Sequence, residues 1–358
     1  MPLPFILVGA AIAAAGFGTK KGYDGFQDKI EANDILERAK RQYEESAAEL
    51  ESADKITHNK LDQLGNLQLD IGKDFKEFQT IAEELLDKLN DASKVDIEVN
   101  VPKYQRKRIE RLSMGSVAYA SKLAGGAVGG TAAAYAVYGG VMALAAASTG
   151  TPIAALSGVA AYNATLAAIG GGSLAAGGLG MAGGTAILGG VVAAPVLAVA
   201  GWAFASHAEE ALSKAIKTTE EVAQFVKDSK SSCDYLQHTR DYVNNIIDSL
   251  ESIRTVFNMY LGDLKAVEMA MLEGNTDILD KENDIVRMVE NGYAIAAILT
   301  NIIITPLFRV KEKEGVPLVD QNGIPEFETN SNGTKVLNKT RVRKIIAKSN
   351  RDIENFKR

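Results

Sequence analysis

GGGSLAAGGLGMAGGTAILGG, residues 170–190, is the stretch that sorts the possible folds: ten of its 21 positions are glycine and none is charged. It belongs to a longer run. From Leu123 to Ala208, 86 residues pass without an Asp, Glu, Lys or Arg. The rest of the 358-residue chain is densely charged, so a net charge of −6 and a mean hydropathy of −0.02 average over very unequal parts. A soluble helix keeps a polar face for water, and this run supplies no charged residue for one.

The run divides at turn-forming points. Leu123 to Ala147 closes at STGTP (148–152), Ile153 to Ile169 at GGGS (170–173), and Leu174 to Ala205 is broken by Pro195 and ends near Trp202. The first and third pieces are long enough to cross a bilayer as helices. Small residues recur four apart at Gly125/Gly129, Gly126/Gly130 and Gly180/Gly184. That spacing puts them on one helix face, where two backbones can approach closely and gain dispersion contacts in lipid. Alanine and glycine bury little apolar area, so insertion is only weakly favourable. Three readings follow: a segment stored in a helical body and inserted conditionally, a constitutive membrane hairpin, or a buried layer of a soluble protein.

Outward from this run the sequence turns amphipathic. Over 23–94, Leu36, Ala39, Tyr43, Ala47 and Leu50, then Ile71, Phe75, Phe78, Leu85 and Leu89 recur at threes and fours, the mark of a helix burying one stripe against a partner. If continuous, 70 such residues span ~105 Å, with bends expected at Gly65 and Gly72. Over 208–308, Leu212, Ile216, Val222, Val226, Cys233, Leu236, Val243, Leu250, Phe257, Tyr260 and Leu264 form a second stripe. An apolar helix, GYAIAAILTNIIITPLF, then ends at Pro306. The expected fold is all-α, an elongated antiparallel helical bundle or coiled coil carrying a hydrophobic helical hairpin at 113–207.

Between the first arm and the run lies VDIEVNVPKYQRKRIERL, 95–112. Val95, Ile97, Val99 and Val101 alternate as in a short strand, stopped at Pro102. Lys103, Arg106, Lys107, Arg108 and Arg111 follow in a basic connector, placed to meet anionic lipid headgroups. At the far end Trp202 would sit at the interface or, on the alternative reading, in the core.

The termini differ from the arms. Residues 1–22 open with an apolar run from Leu3 to Gly18, ~24 Å of helix, followed by Lys20 and Lys21. A cleavable leader would carry its basic residues first; a marginal anchor and a buried greasy helix are the alternatives. The tail, 309–358, carries Asn-Gly pairs at 322–323 and 332–333, which favour a small hairpin or an ordered loop. It ends in KTRVRKIIAKSNRDIENFKR, a basic short helix.

Catalytic chemistry is not written here. GLGMAG (178–183) has dinucleotide-loop spacing, but no acid follows before Glu209. His207 with Glu209 and Glu210 lacks further histidines for a metal. Cys233 and His238 are five apart, off one helix face, so a nucleophile–base pair is not expected. The single cysteine excludes an intrachain disulfide. Sequons stand at Asn163, Asn332 and Asn338. No enzymatic activity, cofactor, metal, small-molecule substrate or nucleic-acid partner is expected; the expected partners are a lipid bilayer and further copies or a related helical subunit.

Amphipathic helices flanking a Gly/Ala-rich hydrophobic hairpin resemble the cytolysin A and haemolysin BL superfamily of α-helical pore-forming toxins. That resemblance implies a helical bundle that stores an apolar tongue, extends it into a membrane and oligomerises. The pattern is similar to that of apolipoprotein L proteins. MPLPFILVGAAIAAAGFGTKKG together with STGTPIAALSGVAAYNATLAAIGGGSLAAGGLGMAGGTAILGG also resembles a group of bacterial proteins over the first two-thirds of the chain. The larger hydrophobic segment and the added tail depart from the toxins, and fit an intracellular membrane effector at least as well as a secreted one.

Overall fold

The computed structural model describes residues 20–93, 97, 99–124, 132–139, 208–274, 282–313, 316–318, 326–330 and 334–356. The described chain is all-α. Its helices are α1 (Lys20–Ser93), α2 (Lys103–Ala124), the single turn α3 (Ala132–Ala134), α4 (Ala208–Leu272), α5 (Glu282–Ile303) and α6 (Lys339–Ile353). The α3 turn runs on into a wider π turn, Tyr135–Gly139.

The chain forms two compact units. The first comprises residues 1–56 and 190–238. Its described parts are the start of α1 and the start of α4, joined by Ala39, Tyr43, Val222 and Phe225, with Ala47 and Val226 packed alongside. The rings of Tyr43 and Phe225 lie 4.7 Å apart. Ile216, expected on the buried stripe, is 50% exposed, and Phe225 and Ser229 are buried instead. The covered stripe on α4 thus departs at Ile216 from the one that apolar spacing selects, while Val222 and Val226 of that stripe stay in the packing.

The second unit, residues 57–189 and 239–358, holds the larger core. Phe75 and Phe78 of α1 meet Phe257 of α4 at ring separations of 5.3 Å, and Phe78 meets Tyr293 of α5 at 5.0 Å, edge to face. Edge-to-face rings add to area burial through their quadrupoles. Outside these rings Arg254 Nε donates to Asp74 Oδ2 at 2.7 Å, and Lys265 Nζ donates to Glu77 Oε1 at the same distance. Burial opposes the Arg254 charge, yet the Asp74 hydrogen bond and the nearby Asp70 and Glu251 carboxylates raise its affinity for the proton overall.

Neither Gly65 nor Gly72 interrupts α1. A Cβ on Gly65 would overlap the Ala132 carbonyl, and one on Gly72 would overlap the Ser116 side chain. Both glycines admit a crossing element where a bend was expected. The expected strand at 95–101 also gives way: Ile97 and 99–101 carry no strand. Among the described residues no neighbouring strand supplies a ladder. The Ile97 N–H goes to Asn90 Oδ1 (2.7 Å), the Asn100 N–H to Glu290 Oε1 (2.8 Å), and the Val101 N–H to the Val99 carbonyl (2.8 Å). What was expected as a basic connector is the opening of α2, a helix that runs unbroken past residue 112.

The tail folds onto the second unit. β1 (Glu312–Lys313) pairs antiparallel with β2 (Val316–Pro317), and single bridges link Phe308 with Leu337, Val310 with Phe327 and Thr329 with Lys335. The last of these bridges flanks the Asn332–Gly333 pair. Asn338 anchors the return, its N–H on the Leu307 carbonyl (2.8 Å) and its Nδ2 on the Pro306 carbonyl (3.1 Å). Helix α6 buries Val342, Ser349 and Ile353 and leaves Arg341, Arg343, Lys344 and Lys348 exposed. Tyr242 OH donates to the Leu307 carbonyl, and Ser249 Oγ to Asn350 Oδ1.

Candidate functional site

Two places in the second unit concern the uncharged run. The first is its seat. The turn Ala132–Gly139, the described part of the run beyond α2, is held between α1 and α2. The Ala133 N–H donates to Asp62 Oδ1 at 2.6 Å, so a carboxylate from α1 caps a helical turn 71 residues away in sequence. A capping carboxylate satisfies a backbone donor that the turn itself cannot. His58 Nε2 lies 3.6 Å from the other Asp62 oxygen. Beside them the Gly65 cradle receives the Ala132 carbonyl.

One turn further, Tyr135 OH and Ser116 Oγ are 2.7 Å apart, and the same Ser116 oxygen lies 2.8 Å from the Leu112 carbonyl, to which it donates. The Ser116 proton is thus committed to Leu112 and the Tyr135 hydroxyl is the donor between the pair. The Tyr119 ring packs on Tyr135 at a tilt of 55°, centres 5.0 Å apart, and Ala133 and Val137 are buried. A few directional bonds therefore reinforce the packing of Ala133, Tyr135 and Val137. π turns such as Tyr135–Gly139 are frequent at functional sites.

The second place is a cleft of about 430 Å³ between α1 and the opening of α2, floored by Tyr293 of α5. Lys103, Arg106, Lys107 and Glu110 line it from α2; Lys76, Gln79, Glu83 and Leu86 line it from α1. Both sets recur at threes and fours, one helix face each. Four cations and two carboxylates converge, and none of the six makes an ion pair with another described residue. Burial, with Glu83 as the next cause, pushes the Tyr293 phenol up to about 12, so it stays a neutral donor.

Of the five basic residues expected at headgroups, Lys103, Arg106 and Lys107 reach this cleft. Arg108 instead donates to Asn301 Oδ1 at 3.1 Å, and Arg111 does not line the cleft. Lys76 and Tyr293 were not singled out by sequence, and neither were Asp62, Ser116 and Tyr135; each acts through partners distant along the chain. The packing glycines Gly125, Gly126, Gly129, Gly130, Gly180 and Gly184, and Trp202, lie outside the described residues, as do GLGMAG and the sequons at Asn163 and Asn332. Asn338 of the third sequon is half-buried, with its amide on Pro306.

Among the described residues no helix is long and apolar enough to cross a membrane, and no three His, Cys, Asp or Glu side chains group as metal ligands. Cys233 is half-buried, and His238 Nδ1 sits 2.8 Å from the Asp234 carbonyl of its own helix. No protein family, curated protein or solved structure matches this chain.

Proposed function

We propose that this chain is a membrane-inserting helical protein that permeabilises or remodels a lipid bilayer. Its amphipathic arms act as the scaffold, an elongated antiparallel bundle or coiled coil, and the 113–207 region is the inserting hairpin. In this reading the Gly-x-x-x-Gly faces at Gly125/Gly129, Gly126/Gly130 and Gly180/Gly184 pack helix on helix in lipid. The working form is a homo-oligomer or an assembly with a related helical subunit.

One observation carries the reading: 86 residues without a charge adjoin helices that are otherwise thick with it. In water such a run must hide all of its surface, whereas in lipid it needs to hide only its backbone polar groups. The seat adds support, because the start of the run rests on α1 and α2 through alanines, one tyrosine, one valine and a few hydrogen bonds. Detaching it exposes less apolar surface than detaching a leucine-rich helix would.

Dye leakage from phosphatidylcholine vesicles tests the reading. The purified chain is expected to release dye and to become carbonate-resistant after incubation with vesicles. Leu at Gly126, Gly130 and Gly180 should abolish release, and undiminished release from that variant removes the packing mechanism. A chain that fractionates permanently with membranes and never releases dye is instead a scaffold with a constitutive anchor. One that ignores vesicles altogether holds the run as a buried core.

A further inference from the structure

The cleft over Tyr293 gathers four cations and two carboxylates, and its register says which of them face one another. Counting along the two helices from the contact of Gly72 with Ser116 and Leu112, α1 and α2 run antiparallel. The Asn90–Ile97 hydrogen bond closes the far end of the pair. This register sets Lys76 level with Glu110 and Glu83 level with Lys103, so those charges balance across the cleft. Arg106 and Lys107 are left in the middle, opposite neutral Gln79, with the Tyr293 phenol beneath.

Two cations beside an amide and a phenol, in a cleft open to solvent, want a compact multivalent oxyanion. A guanidinium fork suits two phosphate oxygens at once, and a lysine adds a point charge. Glu110 on one side and Glu83 on the other set limits: a second anionic group there would meet a carboxylate. That disfavours a polyanion such as a nucleic-acid backbone and favours a single phosphate group.

We propose that the middle of this cleft binds one phosphomonoester group, held by Arg106 and Lys107 above the Gln79 amide and the Tyr293 hydroxyl, which hydrogen-bond each other at its base. The group could be carried by a lipid headgroup or by a soluble ester; only the first of these rests on the bilayer reading above.

Two probes separate the sources: glycerol 3-phosphate in titration calorimetry, and flotation with phosphatidylcholine vesicles with or without phosphatidic acid. The full chain is expected to float better with phosphatidic acid, with glycerol 3-phosphate competing. The R106E/K107E variant should bind both probes at least about tenfold more weakly. A K344E/K348E control carries the same charge change on the exposed face of α6 and should bind as the parent does. R106Q/K107Q, which adds no negative charge, should lose most of the affinity too, and thermal melting establishes that each variant is folded. Equal loss in the α6 control, or no affinity for either probe, overturns the site. Binding of glycerol 3-phosphate without flotation keeps the site and assigns it a soluble ligand. Dye release from pure phosphatidylcholine vesicles then judges the bilayer reading separately.

Discussion

The Asp62 carboxylate accepts the Ala133 N–H at 2.6 Å, joining the middle of α1 to the start of a segment with no charge of its own. Removing that acceptor leaves a backbone donor unpaired. Asp62→Ala is expected to loosen the turn by about 1 kcal/mol, as for a lost helix cap, while Asp62→Asn, which keeps an oxygen acceptor, should restore most of it. Hydrogen exchange at Ala133 reads this directly. Exchange that is unchanged in Asp62→Ala would show that the turn is held by packing alone.

Ser116 and Tyr135 form the next bond of the same seat. Ser116→Ala strands the buried Tyr135 hydroxyl, which costs about 1–3 kcal/mol; Tyr135→Phe removes the donor itself and should cost less. In the double variant the penalties should not add, because the residues touch. Denaturant unfolding of the four proteins checks it. Strict additivity would mean that the 2.7 Å contact contributes no coupling energy.

Much of the scaffold was legible in the sequence because helical periodicity is local. Ile71, Phe75, Phe78, Leu85 and Leu89 stand on the expected stripe of α1 and all are buried, as are Val222, Leu236, Val243, Leu250, Phe257, Tyr260 and Leu264 of α4. The basic helix α6 and the end of α5 just before Pro306 were equally readable. What failed was anything set by a partner element. Periodicity reports the face a helix wants covered and is silent on what covers it, so Gly65 and Gly72 read as bends when they are contact points. Val95 to Val101 had strand alternation, but among the described residues no strand lies beside them to pair with. Arg106 and Arg108 looked alike in a basic cluster, and only the α1 and α5 surfaces separate them, sending one to the cleft and the other to Asn301.

Two ion pairs join α1 to α4, and they should differ in weight. Arg254 and Asp74 are mostly covered, at 27% and 19% side-chain exposure, whereas Lys265 and Glu77 stand at 41% and 49%. Glu77→Ala is expected to change stability by less than about 1 kcal/mol, as exposed pairs do. Asp74→Ala leaves a half-buried guanidinium unpaired and should cost about 2 kcal/mol, below the range for fully buried pairs. Thermal melting in low and high salt separates them, since added salt screens the Lys265 pair far more than the Arg254 pair. Equal losses would place both pairs in the same solvent environment.

Lys335 gives a pH dependence with a definite sign. Its ammonium lies over the Phe308 and Phe327 rings, 5.8 and 5.4 Å from their centres. Burial lowers its pKa from 10.5 to about 8; the ring faces favour the charged form but do not outweigh desolvation. Folding thus binds this proton less tightly than the unfolded chain does. Below pH 8 both states are charged and the burial penalty is constant and complete; between about 8 and 10.5 unfolding takes up a proton, so this residue adds stability as pH rises. Lys335→Met keeps the ring contacts and removes the charge. The variant should melt higher than the parent at pH 7, and the gap should shrink steadily towards pH 10.5. A gap that stays the same across that range would mean that Lys335 keeps its proton in the folded tail.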